Sequence, residues 1–206
     1  MVSQTNSVPE SIPLRTKGWQ DWSAQYDPEF LELDRPATHS RLKSDSADPE
    51  GHFSVRALAE STGVSKSQVS LSLQRCYEVG LALESRDGRP LQVNQRGLCE
   101  FLVYGVRYVF PARLGVMTRG IATGAAAPVF AGKLFTAGET VPVWSYALGN
   151  TKGQSVEPLT KSVPQAVQRD VMLYALLALV DSLRIGGARE RGLAENHLSR
   201  MLGVRK

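Results

Sequence analysis

The sharpest hydrophobic patterning in the 206-residue chain lies between residues 53 and 94. Val55, Leu58 and Ala59 fall on one face of a helix, and Ser54 stands before them as its cap. Gly63 ends that helix, because the turn that follows needs a residue tolerant of positive φ. Ser65 caps a second helix, with Gln68 three residues on in capping-box register. Val69, Leu73 and Cys76 line one side of it, and Gly80 closes it. Ala59, Gly63 and Val69 follow the small–x3–Gly–x5–aliphatic spacing of two helices that cross closely at a tight turn. Short strands at 81–85 and 91–94 then flank the turn Arg86-Asp87-Gly88-Arg89, whose Asp-Gly pair suits a hairpin. Helix, turn, helix and basic hairpin together predict a winged helix-turn-helix.

Beyond this unit the pattern predicts a helix over 95–105, with Leu98, Phe101 and Leu102 inward and Gly105 as its stop. Residues 107–111 (RYVFP) read as a strand. The stretch 112–163 is irregular, rich in Gly, Ala, Pro and Thr, with an edge strand at 140–146 because Pro142 bars a central place. Within it, 117–128 (MTRGIATGAAAP) is the most distinctive piece, and Thr118-Arg119-Gly120 reads as a loop. Pro164 opens one long helix to residue 185, apolar around most of its circumference and so a core or dimer element. Gly186-Gly187 breaks it, and 188–202 forms an amphipathic helix with Ala194, Leu198 and Met201 on one side. The fold class expected is mainly α (α+β), a winged helix-turn-helix with a C-terminal helical extension and irregular β segments.

Residues 1–50 differ in kind. Pro9, Pro13, Pro28, Pro36 and Pro49 recur among many Ser, Asp and Glu. Trp19, Trp22, Tyr26 and Phe30 share one face of a short amphipathic helix. Two readings stand: a loosely ordered arm docked on the body, or a segment that folds on binding. This arm holds five Lys and Arg against nine Asp and Glu, whereas residues 51–206 hold nineteen against eleven. The basic excess thus belongs to the rest of the chain, where it suits a polyanion partner or a solvated surface. Three segments follow: an acidic arm (1–50), a DNA-binding unit (51–106) and a C-terminal partner or dimerisation region (107–206).

The remaining chemistry is sparse. Cys76 and Cys99 sit among apolar neighbours and read as free thiols in a reducing cytoplasm, with no metal and no cofactor. The longest apolar run, 171–180, is too short for a bilayer. His39, His52 and His197 are scattered, and Asp170 and Asp181 read as surface charges or caps. GIATGAAAP is too loose for a dinucleotide fingerprint. No acid, base or nucleophile set converges, so an enzyme is not expected.

The second helix of the motif is the candidate reading element. With Val69 inward, Ser67, Ser70, Leu71 and Gln74 point outward, with Lys66 and Gln68 near the helix start. Ser and Gln hydrogen-bond base edges, and Lys66 reaches phosphate or guanine. Outward Leu71 suits a thymine methyl or a protein surface. Arg86 and Arg89 at the hairpin tip would hold the minor groove or a phosphate. Thr118 and Arg119 are the candidate partner-binding residues.

ALAESTGVSKSQVSLSLQRCYEVGL, from Ala57, resembles MarR-like winged-helix regulators. Three further stretches, YGVRYVFPARLGVMTRGIATGAAAP, SVEPLTKSVPQAV and RDVMLYALLALVDSLRIGGARER, resemble a bacterial group of winged-helix proteins. Members of that group are encoded beside nucleotidyltransferases in toxin–antitoxin-like pairs. The resemblance spans roughly residues 53–195. It implies a DNA-binding regulator, an antitoxin that represses its own operon. One small reading helix seldom gives enough affinity, so binding to double-stranded DNA as a homodimer is expected. The alternative is a protein-binding module that inhibits a partner nucleotidyltransferase, the winged helix serving protein contact. Just before Phe53, where such units carry an apolar first helix, this chain has LKSDSADPEG.

Overall fold

The computed structural model describes residues 53–83, 91–130, 134 and 140–204. The amphipathic stretch 19–30 and the hairpin tip with Arg86 and Arg89 lie outside the described residues. What is described is a mixed α+β protein with small sheets.

Helix α1 (Val55–Thr62) begins where the Ser54 hydroxyl accepts the Ala57 N–H at 3.1 Å. It ends at Gly63, in the left-handed region at φ 70°, whose N–H returns to the Ala59 carbonyl. Helix α2 (Lys66–Glu78) starts with Ser65 accepting from the Gln68 N–H at 3.3 Å. Val69 is its one buried residue. Strands β1 (Ala82–Leu83) and β2 (Gln92–Val93) pair antiparallel, Ala82 opposite Val93. Leu83 stands opposite Gln92, and the rest of the expected hairpin, 84–90, lies outside the described residues.

Helix α3 (Gln95–Glu100), capped by Asn94, does not stop at Gly105. It widens into a π-turn over Phe101–Gly105 and resumes as α4 (Val106–Val109). Residues 107–109 are therefore helical, contrary to the strand expected at 107–111. Leu98, Leu102 and Val106 fall four apart and turn inward, and that packing outweighs the β-propensity of RYVF. Gly105 keeps right-handed dihedrals, and Pro111 supplies the stop.

The stretch expected to be irregular holds a closed three-stranded barrel. β3 (Leu114–Ala122) pairs antiparallel with both β4 (Pro142–Ser145) and β5 (Thr151–Val156), while β4 and β5 pair in parallel. Thr118-Arg119-Gly120 is thus strand, not loop, opposite Gly153, Lys152 and Thr151. The register of β3 slips by one between Leu114 and Met117. β4 is hydrogen-bonded on both sides and is not an edge; Pro142 is tolerated because it is the first strand residue. A Cβ on Gly120 would meet the Trp144 carbonyl, and one on Gly153 the Val141 carbonyl. Glycine at these points lets three backbones close round so small a circumference. Two 3-10 turns, Gly124–Ala126 and Pro128–Phe130, follow β3.

Residues 164–185 form two helices rather than one. α5 (Val163–Ala166) ends in a turn, and Asp170 caps α6 (Val171–Ile185) by accepting the Leu173 N–H at 2.9 Å. A cap with extended dihedrals interrupts what apolar content alone joins together. α6 is the centre of the core: Ala175, Ala178, Leu179, Val180 and Leu183 are buried against Trp144, Ile121, Phe130 and Val106. α7 (Ala188–Met201) packs on it through Ala194 and Leu198.

Asp181 corrects the sequence reading most sharply, since it is no surface charge but 1% exposed. Its Oδ2 accepts the Trp144 indole N–H at 2.7 Å and the Thr123 hydroxyl at 2.9 Å, and Oδ1 accepts Arg184 Nη1 at 2.6 Å. Arg184 also donates to the Phe110 carbonyl at 2.7 Å and the Glu157 carbonyl at 3.1 Å. Burial pushes the Asp181 carboxyl up from its ordinary value, and Arg184, Thr123 and Trp144 oppose that rise. One ion pair thereby ties α6 to the barrel and to the end of α4.

Candidate nucleic-acid interface

Each local feature of the α1–α2 unit has its cause in the sequence. Ser54 and Ser65 cap the helices, Gly63 turns the chain, and Val69 plugs the crossing at 8% exposure. The unit sits on the body through α1, where Arg169 Nη1 donates to the Glu60 carbonyl at 2.7 Å. A Cβ on Gly63 would come within 3.2 Å of Ser162 Cβ. Behind it, Cys99 lies 3.5 Å from the Ser199 hydroxyl, joining α3 to α7. Both cysteines are free thiols; Cys99 is buried and Cys76 is half-buried.

With α2 anchored by Val69, its opposite face is open. Ser67, Leu71 and Gln74 lie opposite Val69, Gln68 and Ser70 flank it, and Lys66 stands in the first turn; all are exposed, Leu71 at 52%. These residues share one helix, so the structure brings them together. Gln74 donates to Glu78 at 3.0 Å across one turn, which holds its amide along the helix surface. Sequence reasoning missed Arg75, which is exposed one turn beyond Leu71 on the same outward side. Its signal was the four-residue spacing from Leu71. Chemically this surface offers hydroxyl and amide groups for base edges and two cations for phosphates, with one carboxylate, Glu78, at its far end.

Thr118 and Arg119 lie elsewhere, on β3. Arg119 is exposed beside Lys152 of β5, and Thr118 is half-buried. They are not part of the α2 surface. The same strand carries Leu114, Val116 and Met117, at 54%, 78% and 55% exposure.

Among the described residues, no group of three His, Cys, Asp or Glu could hold a metal ion. No described helix is long and apolar enough to cross a membrane. Comparison with protein-family models, curated proteins and solved structures finds no match to this chain.

Proposed function

We propose that the chain is a sequence-specific, DNA-binding transcriptional regulator of winged-helix type, cytoplasmic, acting on double-stranded DNA as a homodimer. The observation that carries this reading is the division of α2. One residue, Val69, is buried, and the whole polar face from Lys66 to Gln74 is open. A helix capped by Ser65 and held by its back on a turn can present its N-terminal half to a major groove. The hairpin strands β1 and β2 follow directly, as a wing requires. Two half-sites supply the affinity that one short reading helix lacks. Resemblance to proteins of toxin–antitoxin-like pairs makes autorepression the natural use of this activity. The test is fluorescence anisotropy of the full chain on duplexes from upstream of its own gene. Lys66→Ala and Arg89→Ala should both weaken binding; no salt-sensitive binding by the unmodified chain would refute the reading.

A second reading is a protein-binding antitoxin module that inhibits a partner nucleotidyltransferase. It is favoured by apolar exposure: Leu71 on α2, and Leu114, Val116 and Met117 beside Arg119 on β3. Co-purification with the product of the neighbouring gene separates the two. A complex that survives Lys66→Ala and Arg89→Ala favours this second reading, and no complex at all removes it.

A further inference from the structure

The two sides of β3 are paired over different lengths. β5 lies along it from Leu114 to Gly120, whereas β4 pairs with it only from Gly120 to Ala122. Arg119 aims its carbonyl at the β4 side, where it accepts the Tyr146 N–H at 3.1 Å. Main-chain groups two residues apart along a strand face the same way, so Met117 aims its N–H and C=O to that side too. No described strand pairs with it there. The first half of β3 is thus an open edge, with Val116 and Met117 on it at 78% and 55% exposure. Such an edge is a template for a further strand.

The charge beside this edge is the decisive feature. Arg119 stands directly opposite Lys152 of β5, and both are exposed. Like charges facing each other across a ladder repel. No ion pair among the described residues engages either cation. The edge therefore fits an extended segment that brings carboxylates. A second copy of β3 would bring another Arg119 and Lys152, like against like.

The chain carries such a segment itself. Residues 31–34 (LELD) alternate leucine with acid, and Asp27 and Glu29 stand just before them. They belong to the acidic arm, outside the described residues. In a strand that alternation turns the leucines to one side and the carboxylates to the other. The nineteen residues from Arg35 to Phe53, where the described structure begins, span up to roughly 60 Å. A domain of this size has a radius of gyration of roughly 15 Å, so the tether reaches β3 from any direction. It also holds the segment at an effective concentration on the order of millimolar.

We propose that residues 31–34 of the acidic arm add to the open edge of β3 as a further strand, Glu32 and Asp34 neutralising Arg119 and Lys152. The inference rests on neither functional reading. It covers the β3 surface within the isolated chain, so a partner protein of the second reading has to displace the arm.

The experiment is amide hydrogen exchange of the isotope-labelled full chain, read residue by residue by nuclear magnetic resonance. Met117 is the reporter, because its N–H faces the open edge. Its amide should exchange as slowly as that of a paired strand residue, at every protein concentration. Glu32→Lys with Asp34→Lys should speed this exchange at least about tenfold. Ile121, paired with Trp144, should exchange unchanged in that variant and so report an intact fold. Adding Arg119→Glu and Lys152→Glu should restore slow exchange at Met117, since both sides of the contact are then reversed. A Met117 amide that exchanges like open chain in the unmodified protein, protection that survives Glu32→Lys with Asp34→Lys, or no rescue by the reversed charges would overturn the proposal. Protection that fades on dilution would assign the edge to a second copy, and protection that appears only with the neighbouring gene product would assign it to a partner; either result overturns it as well.

Discussion

Trp144 donates its indole N–H to Asp181 at 2.7 Å, and through that bond the barrel is fastened to the central helix. Arg184 and Thr123 complete the set of donors around the carboxylate. An amide at this position would turn an NH2 group toward one of the three donors. Asp181→Asn is therefore expected to cost about 3 kcal/mol, the range for breaking a buried charge pair. Urea denaturation followed by circular dichroism measures it. A cost below about 1 kcal/mol would mean that the cluster does not hold these elements together.

Tyr174 predicts the behaviour of the fold in alkali. Its hydroxyl donates to the Ala122 carbonyl at 2.7 Å, its ring meets Trp144 edge-on at 5.8 Å, and burial pushes the phenol well above its ordinary value of 10.0. The folded state thus keeps the proton at pH values where the unfolded chain loses it. Stability from this group is complete below about pH 10 and falls above it by about 1.4 kcal/mol per pH unit. In Tyr174→Phe that slope should be shallower by one proton, measured by urea titrations between pH 9 and 11.

Gly120 and Gly153 of the barrel have no room for a side chain. A Cβ at Gly120 or Gly153 would run into the backbone of β4 or of the residue before it. Gly153→Ala should destabilise the chain by at least about 2–3 kcal/mol, as overpacking against an immovable neighbour does. Gly192→Ala, where a Cβ meets nothing within 4 Å, is the control and should raise helix stability by about 0.5–1 kcal/mol. Differential scanning calorimetry of the two variants makes the comparison.

What the sequence made legible follows from what is local. The Ser54 and Ser65 caps, the Gly63 turn, the inward Val69 and outward Leu71, and the final helix all depend on residues a few positions apart. The barrel depends on strands brought together from residues 114, 142 and 151; the glycine-bearing stretches that become β3 and β5 read as irregular chain, and only the stretch at Pro142 reads as a strand. Asp181 looked like a surface charge because its partners Trp144 and Thr123 lie 37 and 58 residues away. Of the candidate reading face, the residues on α2 were legible by helical spacing. Thr118 and Arg119 read as loop because nothing in MTRGIATGAAAP discloses its pairing with β5.

Leu71 separates the two readings of the α2 surface. At 52% exposure it can be replaced with little effect on folding, within about 0.5 kcal/mol. Leu71→Gln should leave DNA affinity within a few-fold if the polar residues read bases. A loss of partner-protein binding in the same variant, by pull-down with the neighbouring gene product, would instead place a protein contact on this face.

In the proposed function the exposed residues of α2 meet nucleic acid. Its most direct measurement is the slope of log affinity against log salt concentration, by anisotropy, for the full chain and for Lys66→Ala on one upstream duplex. A phosphate-contacting lysine should lower the affinity and reduce the slope by about 1. An unmodified chain whose affinity ignores salt, or a Lys66→Ala variant with the same affinity and slope, would contradict it.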